Sequence, residues 1–156
     1  MGIKRSLCHL KPEARAAVSQ FIAALEKAGL RYAVLETLRT QEVQDAYFAQ
    51  GREPPETVNA LRQKAGLRPI GAAEAGRVIT KARRSLHQDG IAADIVPVLA
   101  NGSIPWNITA PEIAKMWLAF GRIGQEAGLE WGGTWTPLDR FGIGWDATHY
   151  QLAQRR

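Results

Sequence analysis

The sequence predicts an α+β domain on three observations. Two long segments have helical periodicity, short runs rich in β-formers lie between them, and no repeat, linker or low-complexity tract divides the chain. In residues 11–28 the apolar positions Ala14, Val18, Phe21, Ile22 and Leu25 recur at steps of three and four. Pro12 stands where a first helical turn tolerates it, and Gly29 follows the last turn. Residues 31–37 form a short run of β-formers that suggests a strand. Thr40 then reads as the N-cap of a helix over 41–50, with Gly51, Pro54 and Pro55 separating it from a second short helix over 56–64. Gly66, Pro69, Gly71 and Gly76, set among small residues, predict an irregular surface segment over 66–84. Residues 91–98 read as a buried strand and Asn101-Gly102 as a turn. A long helix over 111–127 carries Ile113, Met116, Trp117, Phe120 and Ile123, and Gly128 ends it. Two short strands, over 129–131 and 147–152, flank a loop rich in Gly and Trp.

At 156 residues and 46% hydrophobic content, the chain is long enough to bury one core without splitting it, so residues 1–156 are expected to form a single domain. The basic N-terminus is followed by no apolar run of signal-peptide length, and no stretch approaches the ~20 residues that cross a bilayer. Cys8 is the only cysteine, which excludes an intrachain disulfide and a cysteine-rich zinc site. The net charge is +5 and the pI about 9.7, which favours adsorption to polyanions without choosing among them. Basic residues gather at Arg77, Lys81, Arg83 and Arg84 and again at Arg155 and Arg156, and each cluster also fits a solvated surface. A monomer is expected, since no heptad pattern suggests assembly. The signatures H-E-x-x-H, the deaminase H-x-E with P-C-x-x-C, and the P-loop are absent, and no specific nucleic-acid partner is expected.

Two of the three histidines sit in distinctive surroundings, in the run from Ser85 to Asp94 (SLHQDGIAAD) and in Asp146-Ala147-Thr148-His149. A catalytic zinc takes three protein ligands and keeps an open position for water. Two imidazoles and one carboxylate, from His87, Asp94 and His149, supply such a set. His87 and Asp94 would flank a turn at Gly90, with Asp94 on the following strand and His149 on a neighbouring one. Taken singly, each also fits an ordinary packed histidine or a turn aspartate.

The full pattern is more specific than its parts. S-x-H-x-x-G-x-A-x-D followed by D-x-x-H-[FY] resembles the zinc peptidases that include VanX and VanY D-Ala-D-Ala peptidases and phage L-alanyl-D-glutamate endolysins. Ser85 through Asp94 match the first motif and Asp146 to Tyr150 the second. Trp131-Gly132-Gly133-Thr134-Trp135 is similar to a W-G-G-x-W segment of the endolysin branch. Residues 38–44 and 47–52 are similar to that branch's arginine-containing turn and following helix. The resemblance spans residues 10–152.

It implies a hedgehog/DD-peptidase fold, in which a small antiparallel sheet carries the zinc site between helices. It also implies one Zn2+ on His87, Asp94 and His149, with Asp146 as general base. A carboxylate three residues from a zinc-bound histidine can take a proton from the attacking water and pass it to the departing amine. Facing the metal from both Asp146 and His149 requires a bend between them; alternatively Asp146 only opens the last strand as a turn residue. Arg39 matches an arginine that contacts a substrate oxygen, against the alternative of a surface ion pair. Gln44 and Ser85 match substrate-contacting positions, and both also suit scaffold hydrogen bonding. Trp131 and Trp135 fit either a cleft wall or turn packing.

Two departures stand out. Gln151 replaces a glutamate common after H-[FY], removing a carboxylate that could orient the His149 ring. The segment over 135–146 is longer than usual and adds Asp139, a competing candidate for the base. The expected activity is hydrolysis of the L-Ala-D-Glu bond of the peptidoglycan stem peptide by an endolysin. Such an enzyme is made in a bacterial host cytoplasm without a signal peptide, reaches the wall once the membrane opens, and adsorbs to an anionic envelope. The alternatives are a D-Ala-D-Ala carboxypeptidase or dipeptidase and a non-catalytic, zinc-stabilised wall-binding module.

Overall fold

The computed structural model describes residues 2–154, so the Arg155-Arg156 pair lies outside the described residues. Its elements run α1 (Pro12–Lys27), β1 (Tyr32–Glu36), α2 (Gln41–Ala49), α3 (Pro55–Lys64), α4 (Ala72–Ala75), β2 (Ala92–Pro97), α5 (Pro111–Glu126), β3 (Leu129–Trp131) and β4 (His149–Leu152). The four strands form one sheet in the order β1-β2-β4-β3, and every pairing is antiparallel. This is the α+β architecture expected from the sequence.

Side chains alternate between the two faces of a strand, so the pairing register sorts the sheet residues by face. One face carries Ala93, Ile95, Leu129, Trp131 and Tyr150. They join Val18, Phe21 and Leu25 of α1 and Trp117, Phe120 and Ile123 of α5 in the main core. Phe21 lies against both Phe120 and Tyr150, with ring centroids 6.4 and 4.6 Å away. Each such fully buried ring contributes on the order of 1.5–3 kcal/mol of transfer free energy. The opposite face carries Asp94, His149, Gln151 and Glu130, because Asp94 pairs with His149 and Gln151 with Glu130. The sheet is thus apolar where it meets the two long helices and polar where chemistry is expected.

The second layer differs from expectation in one respect. Residues 66–84 are not wholly a surface segment. They include the single turn α4, and Ile70 and Ala75 are buried with Ala49 and Val58 in a small core of their own. Side-chain and backbone bonds tie the segment down, among them Gln44 Nε2 donating to Ala82 O, Gln50 Nε2 to Glu74 O, Arg52 to Thr80 O, and the Gly51 N–H to Ala75 O. The composition of loop-forming residues hid these contacts, because few apolar residues, Leu67, Ile70 and Ala75 among them, do the docking. Of the basic cluster, Arg84 pairs with Asp89, and Arg83 and Arg52 both lie over the ring of Phe48, at 4.6 and 4.0 Å. Among the described residues no helix is long and apolar enough to cross a membrane.

Candidate metal centre

His87 is delivered by a short 3-10 helix, Leu86–Asp89, that the motif alone did not reveal. Ser85 and Gln88 form its capping box: the Ser85 hydroxyl accepts from the His87 N–H at 3.3 Å, and Gln88 Oε1 accepts from the Ser85 N–H at 2.9 Å. Gly90 then turns the chain with φ 68°, a left-handed conformation that favours glycine, and leads into β2. The S-x-H-x-x-G spacing is therefore a local folding unit that ends by pointing one imidazole at the sheet.

The ring of His87 is 2% exposed as a residue and fixed from both sides. Its Nδ1 lies 2.9 Å from the backbone oxygen of Thr37, a pure acceptor, so Nδ1 carries the proton and Nε2 is free. That Nε2 lies 3.2 Å from Asp94 Oδ1. On the adjacent strand His149 Nδ1 lies 3.5 Å from the same oxygen, and the two imidazole centroids are 5.0 Å apart. One donor atom from each of His87, Asp94 and His149 falls within 4.8 Å of the others.

The electrostatics fit a cation. Burial alone would push the Asp94 carboxyl up, but hydrogen bonds to His149 and His87 and their charge hold it well below the usual carboxylate range. Burial would lower the His149 pKa, yet Asp94 reverses this and raises it. Two buried imidazoles around one carboxylate oxygen, each with its outer nitrogen engaged elsewhere, are nitrogen and oxygen donors of the kind zinc takes. The donor set fits the ion.

Asp146 occupies the turn before β4. Its backbone oxygen accepts from the His149 N–H at 3.1 Å, which is the bend anticipated between the two residues. Burial raises the Asp146 carboxyl above its ordinary value, an effect that the charge of His149 partly offsets. Thr148 Oγ1 donates to Asp146 Oδ1 at 3.3 Å. The W-G-G-x-W segment explains how this turn is held. Trp131 is a core residue whose Nε1 donates to Ala147 O at 2.7 Å. A Cβ on Gly132 would meet the Asp146 carbonyl oxygen at 2.2 Å, so only glycine permits this approach. Trp135 is half-buried with its ring 5.3 Å from that of His149, and Trp145, 66% exposed, lies 5.7 Å beyond it.

Asp139 is placed differently. Its Oδ1 accepts from the N–H groups of Phe141 and Ile143 at 2.7 and 3.0 Å, closing an exposed loop. Arg39 is not an exposed ion pair. Its Nε and one terminal nitrogen bind the two oxygens of Glu36 at 2.9 and 2.5 Å, and the other terminal nitrogen donates to Gln44 Oε1 at 3.0 Å. Burial opposes the guanidinium charge, but Glu36 outweighs it and raises the pKa. Gln44 is fully buried, with its Nε2 donating to Ala82 O at 2.6 Å, so both ends of its amide are occupied within the protein.

Two residues of the site escaped the sequence reading. Glu36 lies at the end of β1 in register with Asp94 and clamps Arg39. Glu130 faces Gln151, whose Oε1 lies 2.9 Å from His149 Nε2. Strand alternation would have marked Glu130 only with the β3–β4 register in hand.

A family model described as D-alanyl-D-alanine carboxypeptidase matches residues 79–152, the stretch that holds His87, Asp94, Asp146 and His149. Among curated proteins no sequence matches the chain. Among solved structures it is similar to the Serratia marcescens L-Ala D-Glu endopeptidase ChiX, at 19% identity and a TM-score of 0.56, over 94% of this chain and 83% of that one. It is similar to the LdcB LD-carboxypeptidase at 18% identity and a TM-score of 0.54, covering 92% of this chain and 58% of that one. A variant of the vancomycin resistance D,D-pentapeptidase VanY in complex with Zn(II) is similar at 19% identity and a TM-score of 0.50, over 92% and 72% of the two chains. At these identities the likeness is one of fold.

Proposed function

We propose that this chain, whose residues 79–152 match the model of a zinc DD-peptidase family, is a metallopeptidase that hydrolyses the L-Ala-D-Glu bond of the peptidoglycan stem peptide. The observation that carries the reading is the convergence of His87, Asp94 and His149 on one small volume, with the half-buried carboxyl of Asp146 on the turn that precedes His149. His87, Asp94 and His149 would hold one zinc ion. When bound, zinc supplies Lewis acidity, making a water ionisable near neutral pH and polarising a carbonyl.

The remaining work falls to the chain's own residues. Asp146 accepts the proton of the attacking water and delivers it to the departing amine, a role suited to a carboxyl whose basicity burial has raised. Arg39 offers the substrate oxygen its two N–H groups that Glu36 and Gln44 leave free. Glu36 neutralises much of its charge, so Arg39 contributes direction more than net charge. Gln44 and Ser85 serve the site from behind: Gln44 fixes the guanidinium, and Ser85 fixes the helix that carries His87.

Support for the endopeptidase reading comes from the W-G-G-x-W and arginine-turn segments and from the extent of the fold likeness to ChiX. The same reading makes the protein a lytic enzyme of phage type, drawn to an anionic envelope by its net charge of +5. Digestion of purified peptidoglycan with mass-spectrometric mapping of new termini tests it. New L-alanine carboxyl ends and D-glutamate amino ends are expected. The description of the matching family favours a second reading, a D-Ala-D-Ala carboxypeptidase. Release of free D-alanine with internal bonds intact would establish that activity in place of the first.

A further inference from the structure

Glu130 and Gln151 are directly opposed on β3 and β4, on the sheet face that carries His149. Gln151 Nε2 donates to Glu130 Oε2 at 2.8 Å, while Gln151 Oε1 lies 2.9 Å from His149 Nε2. An ionised carboxylate can only accept a hydrogen bond. The amide must therefore turn its NH2 toward Glu130, and its oxygen is the atom left for the ring. An amide oxygen needs a donor opposite, so Nε2 of His149 carries the proton. In the neutral ring Nδ1, which faces Asp94 Oδ1 at 3.5 Å, then keeps the free lone pair.

We propose that Glu130 is a positioning residue: acting through Gln151, it selects the Nε2–H tautomer of His149 and so determines that Nδ1 is the nitrogen offered to a metal ion. The inference rests on reading His149 as a metal ligand. It also answers the apparent loss at position 151. The carboxylate that a glutamate would place against the ring stands one strand farther away, and the glutamine relays its polarity. His87 needs no relay, because the Thr37 carbonyl fixes its tautomer directly.

The charge at position 130 makes the proposal testable. Glu130→Lys puts an obligate donor where an obligate acceptor stood, so the Gln151 amide inverts, its NH2 meets Nε2, and the ring proton moves to Nδ1. Zinc affinity, measured by chelator competition, is expected to fall about 10- to 100-fold, the range for outer-shell partners of metal-bound histidines. Glu130→Ala leaves the amide free to turn either way and falls between the lysine variant and the parent. Gln151→Glu places an acceptor directly on Nε2, and in that background Glu130→Lys is expected to change affinity by less than about twofold.

Long-range proton–nitrogen spectra of the metal-free protein, at a pH where the ring is neutral, read the tautomer itself. They are expected to show Nε2–H in the parent and Nδ1–H in Glu130→Lys. A parent spectrum showing Nδ1–H overturns the proposal even if the lysine variant fails to fold. So does a folded Glu130→Lys that binds zinc like the parent. If the parent shows Nε2–H yet binds no zinc, the relay stands and the metal reading falls.

Discussion

His87 is held from behind by a backbone carbonyl, whereas His149 is held by a side-chain amide that itself depends on a carboxylate of the next strand. The first arrangement is set once the chain folds, because no substitution removes the oxygen of Thr37. The second is set by side-chain identity, at positions 151 and 130, and is open to change by single substitutions. Two imidazoles that meet at one carboxylate are thus oriented by different means. One rests on the main chain alone, and the other on two side chains that meet across the sheet.

The largest effects should not distinguish the two sides. His87→Ala and His149→Ala each remove a donor from a three-donor set, and both are expected to lose bound zinc and turnover together, as metal analysis and peptidoglycan hydrolysis will read. Asp146→Ala separates chemistry from metal. Its turnover is expected to fall by about 10²–10⁴-fold, the contribution typical of a positioned acid–base group, with zinc content unchanged. A variant that lost its zinc would make Asp146 a ligand or a structural prop instead.

The comparison itself is sharpened by a milder pair. Gln151→Ala is expected to weaken zinc binding about 10-fold, while Thr37→Val leaves it unaltered because the acceptor is main chain. Thr37→Val does forfeit the hydroxyl bonds to the Lys4 and Ser6 carbonyls, and a stability loss of about 1 kcal/mol is expected in denaturant titration. Equal zinc affinity in these two variants would erase the asymmetry. Farther from the metal, Gln44→Leu leaves an Arg39 N–H and the Ala82 carbonyl without partners. Unfolding should become easier by about 1–3 kcal/mol, with zinc affinity preserved. Asp139→Ala is expected to be nearly silent in turnover, since that carboxylate closes a loop. An inactive Asp139→Ala beside an active Asp146→Ala would reverse the assignment of the base.

The parts of this molecule that could be read in its sequence were those built from local rules. Periodicity located α1 and α5 to within a residue or two of their ends, and Thr40 does cap α2, its Oγ1 accepting from the Val43 N–H. The grouping of His87, Asp94 and His149 was expected from the two motifs and the family they resemble, and a turn at Gly90 and strand pairing bring the three together. What could not be read depended on register and docking between distant segments. Glu36 stands opposite Asp94 through the β1–β2 pairing, Glu130 meets Gln151 through the β3–β4 register, and Gln44 is buried because residues 66–84 fold back over α2. Gln151 looked like a weakened site for the same reason: the compensating carboxylate lies 21 residues earlier in the chain.

The most direct test of a shared metal centre is the zinc content of three purified proteins, measured side by side after dialysis against trace metal. The parent and Asp146→Ala are expected to retain equal, stoichiometric zinc, and His149→Ala to retain none. Zinc held equally by His149→Ala and the parent would contradict the convergence of these side chains on one ion.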